Sequence, residues 1–209
     1  INGRALWSKL VGSFNAYNLL AVYAAALLLG EDEEEVLMQL STLERVEGRF
    51  DTLRTASNIT GIVDYAHTPD AVETALCAMR PHVMGRIIVI VGAGGDRDTA
   101  KRPLMGAAAA QNADIVIVTD DNPRSEPPES IRAAVMAGAV SAGGTDRITE
   151  VGDRAEAILR GIDMLAPGDA LLIAGKGHET GQIVGDTVLP FDDVEQASMA
   201  VAALDGRLA

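Results

Sequence analysis

The feature that most constrains the fold is the alternation of short apolar runs with helix-like segments. Nearly continuous apolar runs occupy residues 86–92, 114–119 and 169–174, each after a charged first residue. Strands that are apolar at every position are typical of parallel sheets with helices on both faces. Weaker β-branched runs lie at residues 59–64 and 147–151. The sequence therefore predicts an α/β fold with a Rossmann-like, mostly parallel sheet covered on both faces by helices.

Helix start signals separate these runs. Thr68 followed by Pro69 suits an N-cap and a first-turn proline, and Asp153 followed by Glu156 matches a capping box. The predicted helices cover residues 68–80, 103–111, 127–140 and 153–165, a last helix begins near residue 192, and residues 182–184 and 187–189 form a predicted edge hairpin.

The first 45 residues have a different character. Residues 14–29 predict a helix that is apolar on nearly every face, which is normally a helix buried all round. The acidic run at 31–35 suits a helix N-terminus. We therefore expect residues 1–45 to be the helical end of a preceding domain and residues 46–209 to form the sheet domain.

Charge and composition exclude several classes of function. The chain has 30 acidic and 17 basic residues, a formal net charge of −13, so it lacks the basic surface that nucleic acid requires. Its most apolar stretch, residues 19–29, is too short to span a bilayer, so no membrane insertion is expected. The single cysteine, Cys77, is predicted to be buried in a helix and fits a reducing, cytoplasmic location.

Polar, glycine-rich segments follow four of the predicted strands. Because ligands bind beyond the carboxyl ends of parallel strands, these segments are expected to meet in one cleft. Each also suits an ordinary turn, although an Asx-turn with proline does not account for the arginine in the third segment. The segments are Asp64-Tyr65-Ala66-His67, Gly92 to Asp98, Asp121-Asn122-Pro123-Arg124 and Gly175-Lys176-Gly177-His178-Glu179.

The charges in these segments indicate a class of ligand. Arg97, Arg124 and Lys176 are expected to supply cations to the cleft, and Asp121 and Glu179 to supply anions. An arginine fork fits a carboxylate, and paired acids fit an ammonium, so a mixed-sign cleft suits an amino acid. The sequence contains no G-x-x-x-x-G-K-[ST] loop of the kind that cradles nucleotide phosphates.

Taken together, these segments resemble the Mur ligase family. Gly12-Ser13-Phe14-Asn15 with Asn18 is similar to the segment that closes the family's central ATPase domain, and Glu47-Gly48-Arg49-Phe50 to the step into the C-terminal domain. The resemblance covers nearly the whole chain in order. The form with Arg124 resembles the members that add meso-diaminopimelate, whereas lysine-adding relatives usually lack that arginine.

The resemblance implies an ATP-dependent amide ligation that joins meso-diaminopimelate to UDP-MurNAc-L-Ala-D-Glu, with ATP and Mg²⁺ held mainly by a central domain outside this sequence. This chain alone is then expected to be inactive and to hold no metal itself. The residues implied for meso-diaminopimelate are Arg97, Asp121, Asn122, Pro123, Arg124, Gly175 and Glu179. The residues implied for ATP are Asn18, Arg49, Asp64, Tyr65 and His67.

Three other interpretations of the sequence remain open. The chain could belong to a lysine-adding relative, although lysine has no distal carboxylate to pair with Arg124. It could be a non-catalytic amino-acid-binding domain. It could also be a Rossmann oxidoreductase, which binding of NAD(P) would reveal.

Overall fold

The computed structural model divides the chain into two compact units, Ile1–Val46 and Glu47–Ala209. The residues that the structure describes are 1–10, 12–44, 48–54 and 60–205.

The described residues contain seven α-helices, one short 3₁₀ helix (Arg80–His82) and eight strands. The helices are α1 (Ser13–Leu28), α2 (Glu33–Thr42), α3 (Pro69–Met79), α4 (Lys101–Asn112), α5 (Pro128–Gly143), α6 (Arg154–Asp163) and α7 (Asp193–Asp205). The strands are β1 (Asp51–Arg54), β2 (Thr60–Asp64), β3 (Ile87–Val91), β4 (Ile115–Val118), β5 (Ile148–Glu150), β6 (Ala170–Ala174), β7 (Gly181–Val184) and β8 (Thr187–Pro190).

The first unit consists of α1 and α2. Asp32 caps α2 by accepting from the backbone N–H groups of Glu34 and Glu35, which confirms the predicted start of a helix in the acidic run. The predicted helix α1 is present, and because the first unit is too small to surround it, Tyr17 is 78% exposed and Leu28 is 89% exposed. A small core of Leu19, Tyr23, Val36, Leu37 and Leu40 joins the two helices.

The second unit is built on a six-stranded sheet in the order β1-β2-β6-β3-β4-β5. All neighbouring strands are parallel except β1, which pairs antiparallel with β2 at the edge. Helices α6 and α7 pack on one face of the sheet, and α3, α4 and α5 pack side by side on the other. The predicted α/β fold is therefore confirmed, whereas β1 was not among the predicted strands.

Complete burial of the central strands explains their composition. Every residue of β3 and β6 is buried, so neither strand alternates apolar with polar side chains. Thr68 and Asp153 cap α3 and α6 as predicted, by accepting from the N–H groups of Ala71 and Glu156. The hairpin of β7 and β8 also forms as predicted.

Some local predictions were wrong. Cys77 is exposed, because it lies on the outer side of α3 while Leu76 and Met79 face the core. Helix α4 begins at Lys101, two residues before the expected start at residue 103. Ile59, the first residue of one predicted strand, lies outside the described residues. None of the helices in the described part of the chain has both the length and the apolar character needed to cross a membrane.

Candidate functional site

The strand order brings four loops to one place on the second unit. Because β6 lies between β2 and β3, the loops that follow these strands adjoin at the carboxyl edge of the sheet, next to the loop that follows β4. A cavity of about 320 Å³ lies among them. Its lining residues are Tyr65, His67, Gly92, Ala93, Gly94, Arg97, Lys101, Asp121, Asn122, Arg124, Gly175 and Glu179.

The glycine-rich loop after β3 interlocks with the loop after β4. Arg124 Nη1 donates to the carbonyl oxygen of Gly95 at 2.8 Å, which fixes the guanidinium at the cavity wall. A Cβ atom on Gly95 would lie 1.8 Å from the carbonyl oxygen of Pro123, so only glycine allows this approach. Arg124 itself has a positive φ of 53°, a conformation that is costly for a residue with a side chain.

The β7–β8 hairpin holds the loop after β4 from the other side. The Arg124 N–H donates to the carbonyl of Ile183 at 3.0 Å, and the Gly185 N–H donates to the carbonyl of Arg124 at 2.7 Å. Gln182 Nε2 donates to the carbonyl of Asp121 at 2.8 Å. These bonds account for the unusual backbone of Arg124, because its donor and acceptor groups are both paired within the hairpin.

Three polar side chains form a network at the base of the cavity. Lys176 Nζ donates to Asn122 Oδ1 at 3.0 Å and lies 3.4 Å from Glu179 Oε2. Asn122 Nδ2 donates to the same Glu179 oxygen at 2.8 Å. The sequence predicted Lys176 as a cation of the cleft, and this was wrong: its side chain is fully buried beneath the cavity and does not line it.

A second buried pair supports the end of β6. Arg154 donates to Asp193 through Nε and Nη2, both at 2.7 Å, and both side chains have no exposed area. Arg154 Nη2 also donates to the carbonyl of Ala174 at 3.1 Å, directly before Gly175. Gly175 has a φ of 121°, and a Cβ atom there would lie 2.7 Å from Asp121 Oδ2. Glycine at this position therefore lets the Asp121 carboxylate reach the cavity.

A third cluster braces the outer side of the loops. Arg102, which is buried, donates to both carboxylate oxygens of Glu126 at 2.8 and 2.7 Å. Glu126 in turn accepts from the Asp96 N–H at 2.6 Å. The bonds from Arg102, followed by that from Asp96, lower the pKa of Glu126 to about 2. The Asp96 carboxylate accepts from the hydroxyl of Ser125 at 2.7 Å, so this cluster joins the loop after β3 to the loop after β4.

The residues predicted for ATP are distributed differently. Tyr65 and His67 line the same cavity as the residues predicted for the amino acid. The guanidinium of Arg49 lies 4.5 Å from the centre of the Tyr65 ring. Burial raises the pKa of Asp64, although its carboxylate accepts from the Phe50 N–H at 2.8 Å.

Asn18, also predicted for ATP, belongs to the first unit. On α1 it donates to Asn15 Oδ1 at 3.1 Å and is exposed.

Six of the seven residues predicted for meso-diaminopimelate line the cavity: Arg97, Asp121, Asn122, Arg124, Gly175 and Glu179. Pro123 is buried and does not line the cavity. It lies in the turn of the loop after β4. Sequence reasoning missed Lys101, which lines the cavity and donates to the carbonyl of His67 at 3.0 Å. Its position at the first residue of the helix after the glycine-rich loop is a signal that could have identified it.

Comparison with known proteins identifies the family of the chain. The profile of the family described as Mur ligase, glutamate ligase domain, matches residues 48–177. The chain therefore belongs to the Mur ligase family, whose members are ATP-dependent ligases.

The similar curated proteins share one name. UDP-N-acetylmuramoyl-L-alanyl-D-glutamate–2,6-diaminopimelate ligases from Bradyrhizobium diazoefficiens and Geobacillus thermodenitrificans are 52% and 50% identical to this chain over 194 and 197 residues. The matches cover 93% and 94% of this chain, and they span 39% and 40% of those proteins, in their C-terminal portion.

A solved structure of a ligase with the same name superposes with a TM-score of 0.73 at 39% identity. The superposition covers 97% of this chain and 41% of the chain in the solved structure. The UDP-N-acetylmuramate–alanine ligase of Thermotoga maritima, at 23% identity and a TM-score of 0.67, shares the fold.

Proposed function

We propose that the cavity binds meso-diaminopimelate as the acceptor amino acid of an ATP-dependent ligase that acts on UDP-MurNAc-L-Ala-D-Glu in the cytoplasm. The observation that carries the proposal is the mixed charge of the cavity lining, which has the cations Arg97, Lys101 and Arg124 beside the anions Asp121 and Glu179. meso-Diaminopimelate carries two carboxylates and two amino groups, so each charged lining group has a complementary partner on this ligand.

The contacts of these side chains suggest their roles. Arg124 Nη1 is engaged by backbone carbonyls, and among the described residues Nε and Nη2 make no hydrogen bond, so the fork is held rigid and available for the distal carboxylate. Asp121 and Glu179 face the same cavity and suit the distal ammonium. Arg97 and Lys101 also line the cavity and suit the second carboxylate.

The nucleotide is expected to lie against the part of the second unit formed by Arg49, Asp64, Tyr65 and His67. Two observations fit this role: Arg49 stacks over Tyr65, and the Asp64 carboxylate is fixed by the Phe50 N–H at the end of β2. A phosphate-cradling loop is not part of this sequence. We therefore expect no ligation and no ATP hydrolysis from this chain alone, and we expect Mg²⁺ to be held elsewhere in the complete ligase.

Calorimetric titration of the chain with meso-diaminopimelate, L-lysine and ATP with Mg²⁺ tests the assignment. L-Lysine is the matched ligand, because it keeps the distal ammonium and lacks the distal carboxylate. meso-Diaminopimelate should bind more tightly than L-lysine by a factor of about 30 or more. Equal affinity for the two amino acids, or binding of neither, would contradict the proposal.

A further inference from the structure

Lys176 is a buried charge that the proposed site does not use directly. It lies between Gly175 and Gly177, both with positive φ, and its side chain has no exposed area. Removing an ammonium from water is costly unless it is well paired. Its hydrogen-bond partners are Asn122 and Glu179, and both line the cavity.

The hydrogen bonds of Asn122 define which way its amide faces. The side-chain oxygen Oδ1 accepts from Lys176 Nζ at 3.0 Å and from the Ile183 N–H at 2.9 Å. Neither of these groups can accept a hydrogen bond, so turning the amide over would set its NH₂ group against two donors and remove the acceptor of both. The amide nitrogen must therefore lie on the side of Glu179, to which it donates at 2.8 Å.

We propose that Lys176 is a positioning residue of the acceptor site, which orients the Asn122 amide and the Glu179 carboxylate from below. This inference rests on the proposed function. With its oxygen held by Lys176, Asn122 presents an N–H group to the cavity, so the ligand group that it meets is a hydrogen-bond acceptor such as a carboxylate. Glu179 Oε2 is held by Asn122 and Lys176, which leaves Oε1 to accept from an ammonium.

The network also limits the ligand groups that Asn122 can meet. An asparagine side chain can both donate and accept, whereas this network commits Asn122 to donation. Adjacent donor and acceptor groups, Asn122 and then Glu179, match the adjacent carboxylate and ammonium of an amino-acid centre. An asparagine held in the opposite sense would place two acceptors side by side and would repel the carboxylate.

A double-mutant cycle with Lys176→Met and Asn122→Ala tests the inference by titration with meso-diaminopimelate. Methionine retains the length of the lysine stem and removes the charge. Each single substitution should raise the Kd on the order of tenfold or more. Because Lys176 orients Glu179 as well as Asn122, the Kd of the double variant should exceed that of either single variant but stay well below the value that multiplying the two effects gives. Multiplication of the two effects would overturn the inference, as would an unchanged Kd for Lys176→Met.

Arg147→Met is the matched control. Arg147 donates to the carbonyls of Gly143, Ala113 and Ala110, and it precedes β5 at the edge of the sheet opposite the cavity. Its substitution should lower the melting temperature and leave the Kd unchanged. If Arg147→Met weakened binding as much as Lys176→Met, the effect of Lys176 would be one of general stability, and the positioning role would be refuted.

A measurement on the unsubstituted chain covers the case in which Lys176→Met does not fold. The chain has three lysines, so lysine-selective ¹⁵N labelling gives at most three Nζ signals in the NMR spectrum. The Lys176 signal should be protected from exchange with water and should shift when meso-diaminopimelate is added. Rapid exchange like that of exposed Lys9 would refute the buried network. Protection without any ligand binding would instead refute the proposed function and leave the network intact.

Discussion

Arg124→Ala should remove the selectivity for meso-diaminopimelate over L-lysine. Truncating one partner of a buried, hydrogen-bonded charge pair costs about 2–5 kcal/mol. Arg124 is only half-buried and part of its guanidinium is already engaged by Gly95, so we expect the lower part of that range. A loss of about 2–3 kcal/mol corresponds to an approximately 30- to 150-fold weaker affinity for meso-diaminopimelate.

The backbone of Arg124 requires a second variant. Alanine at a φ of 53° retains the strain of the native residue, whereas glycine adopts this conformation without cost. Arg124→Gly should therefore show the same loss of affinity with a smaller loss of stability. Arg124→Lys should not restore binding, because a point charge cannot bond the Gly95 carbonyl and a carboxylate in the geometry of the guanidinium fork. Arg160→Ala, which removes only an exposed pair with Glu156 on α6, is the control and should bind normally.

The assay is calorimetric titration of each variant with both amino acids. The affinity for L-lysine should change little, so that the ratio of the two Kd values falls toward one. If both affinities fell equally, Arg124 would pair with the carboxylate that the two ligands share. If ATP binding in a complete ligase were weakened and amino-acid binding spared, the loop after β4 would belong to the nucleotide site.

Two further predictions concern stability. Asp193→Ala should destabilise the fold by about 3–5 kcal/mol in urea denaturation, because it leaves the Arg154 guanidinium buried without its partner; a loss below 1 kcal/mol would contradict this account. The pKa of Glu126 is lowered to about 2 in the folded chain, so the bonds from Arg102 contribute stability above the unfolded value of about 4.5, and that stability is lost as the pH falls from about 4.5 toward 2. Melting temperatures measured across this range should fall less steeply for Glu126→Gln than for the unsubstituted chain, and parallel curves would refute the assignment.

The sheet was predictable because each of its central strands has a clear signal in its own short stretch of sequence. β3, β4 and β6 are continuous apolar runs. Their burial on both faces can be predicted from the sequence of each run alone. The general rule for ligand sites in parallel sheets then indicated where the polar loops would meet. Edge strand β1 carried no such signal, because Asp51 and Thr52 are only half-buried and the strand pairs on one side alone.

The orientation of individual side chains was not predictable in the same way. Lys176 was expected in the cleft, but its direction depends on Asn122, 54 residues earlier, and on the two glycines that flank it. Cys77 was expected in the core, but its exposure depends on the rotation of α3, which Val72, Leu76 and Met79 determine. Such outcomes follow from tertiary packing, which a local pattern of residue types does not encode.

The net charge of −13 and the proposed ligand are compatible for a physical reason. Exposed charges farther apart than about 8 Å are largely screened at physiological ionic strength, so the overall acidity has little effect inside the cavity. There the lining cations Arg97, Lys101 and Arg124 outnumber the anions Asp121 and Glu179. A ligand with balanced charges is neither steered nor repelled by the surface, and its affinity depends on local pairing. Discrimination among amino acids is then a question of which lining charge is left without a partner, and for L-lysine that charge is Arg124.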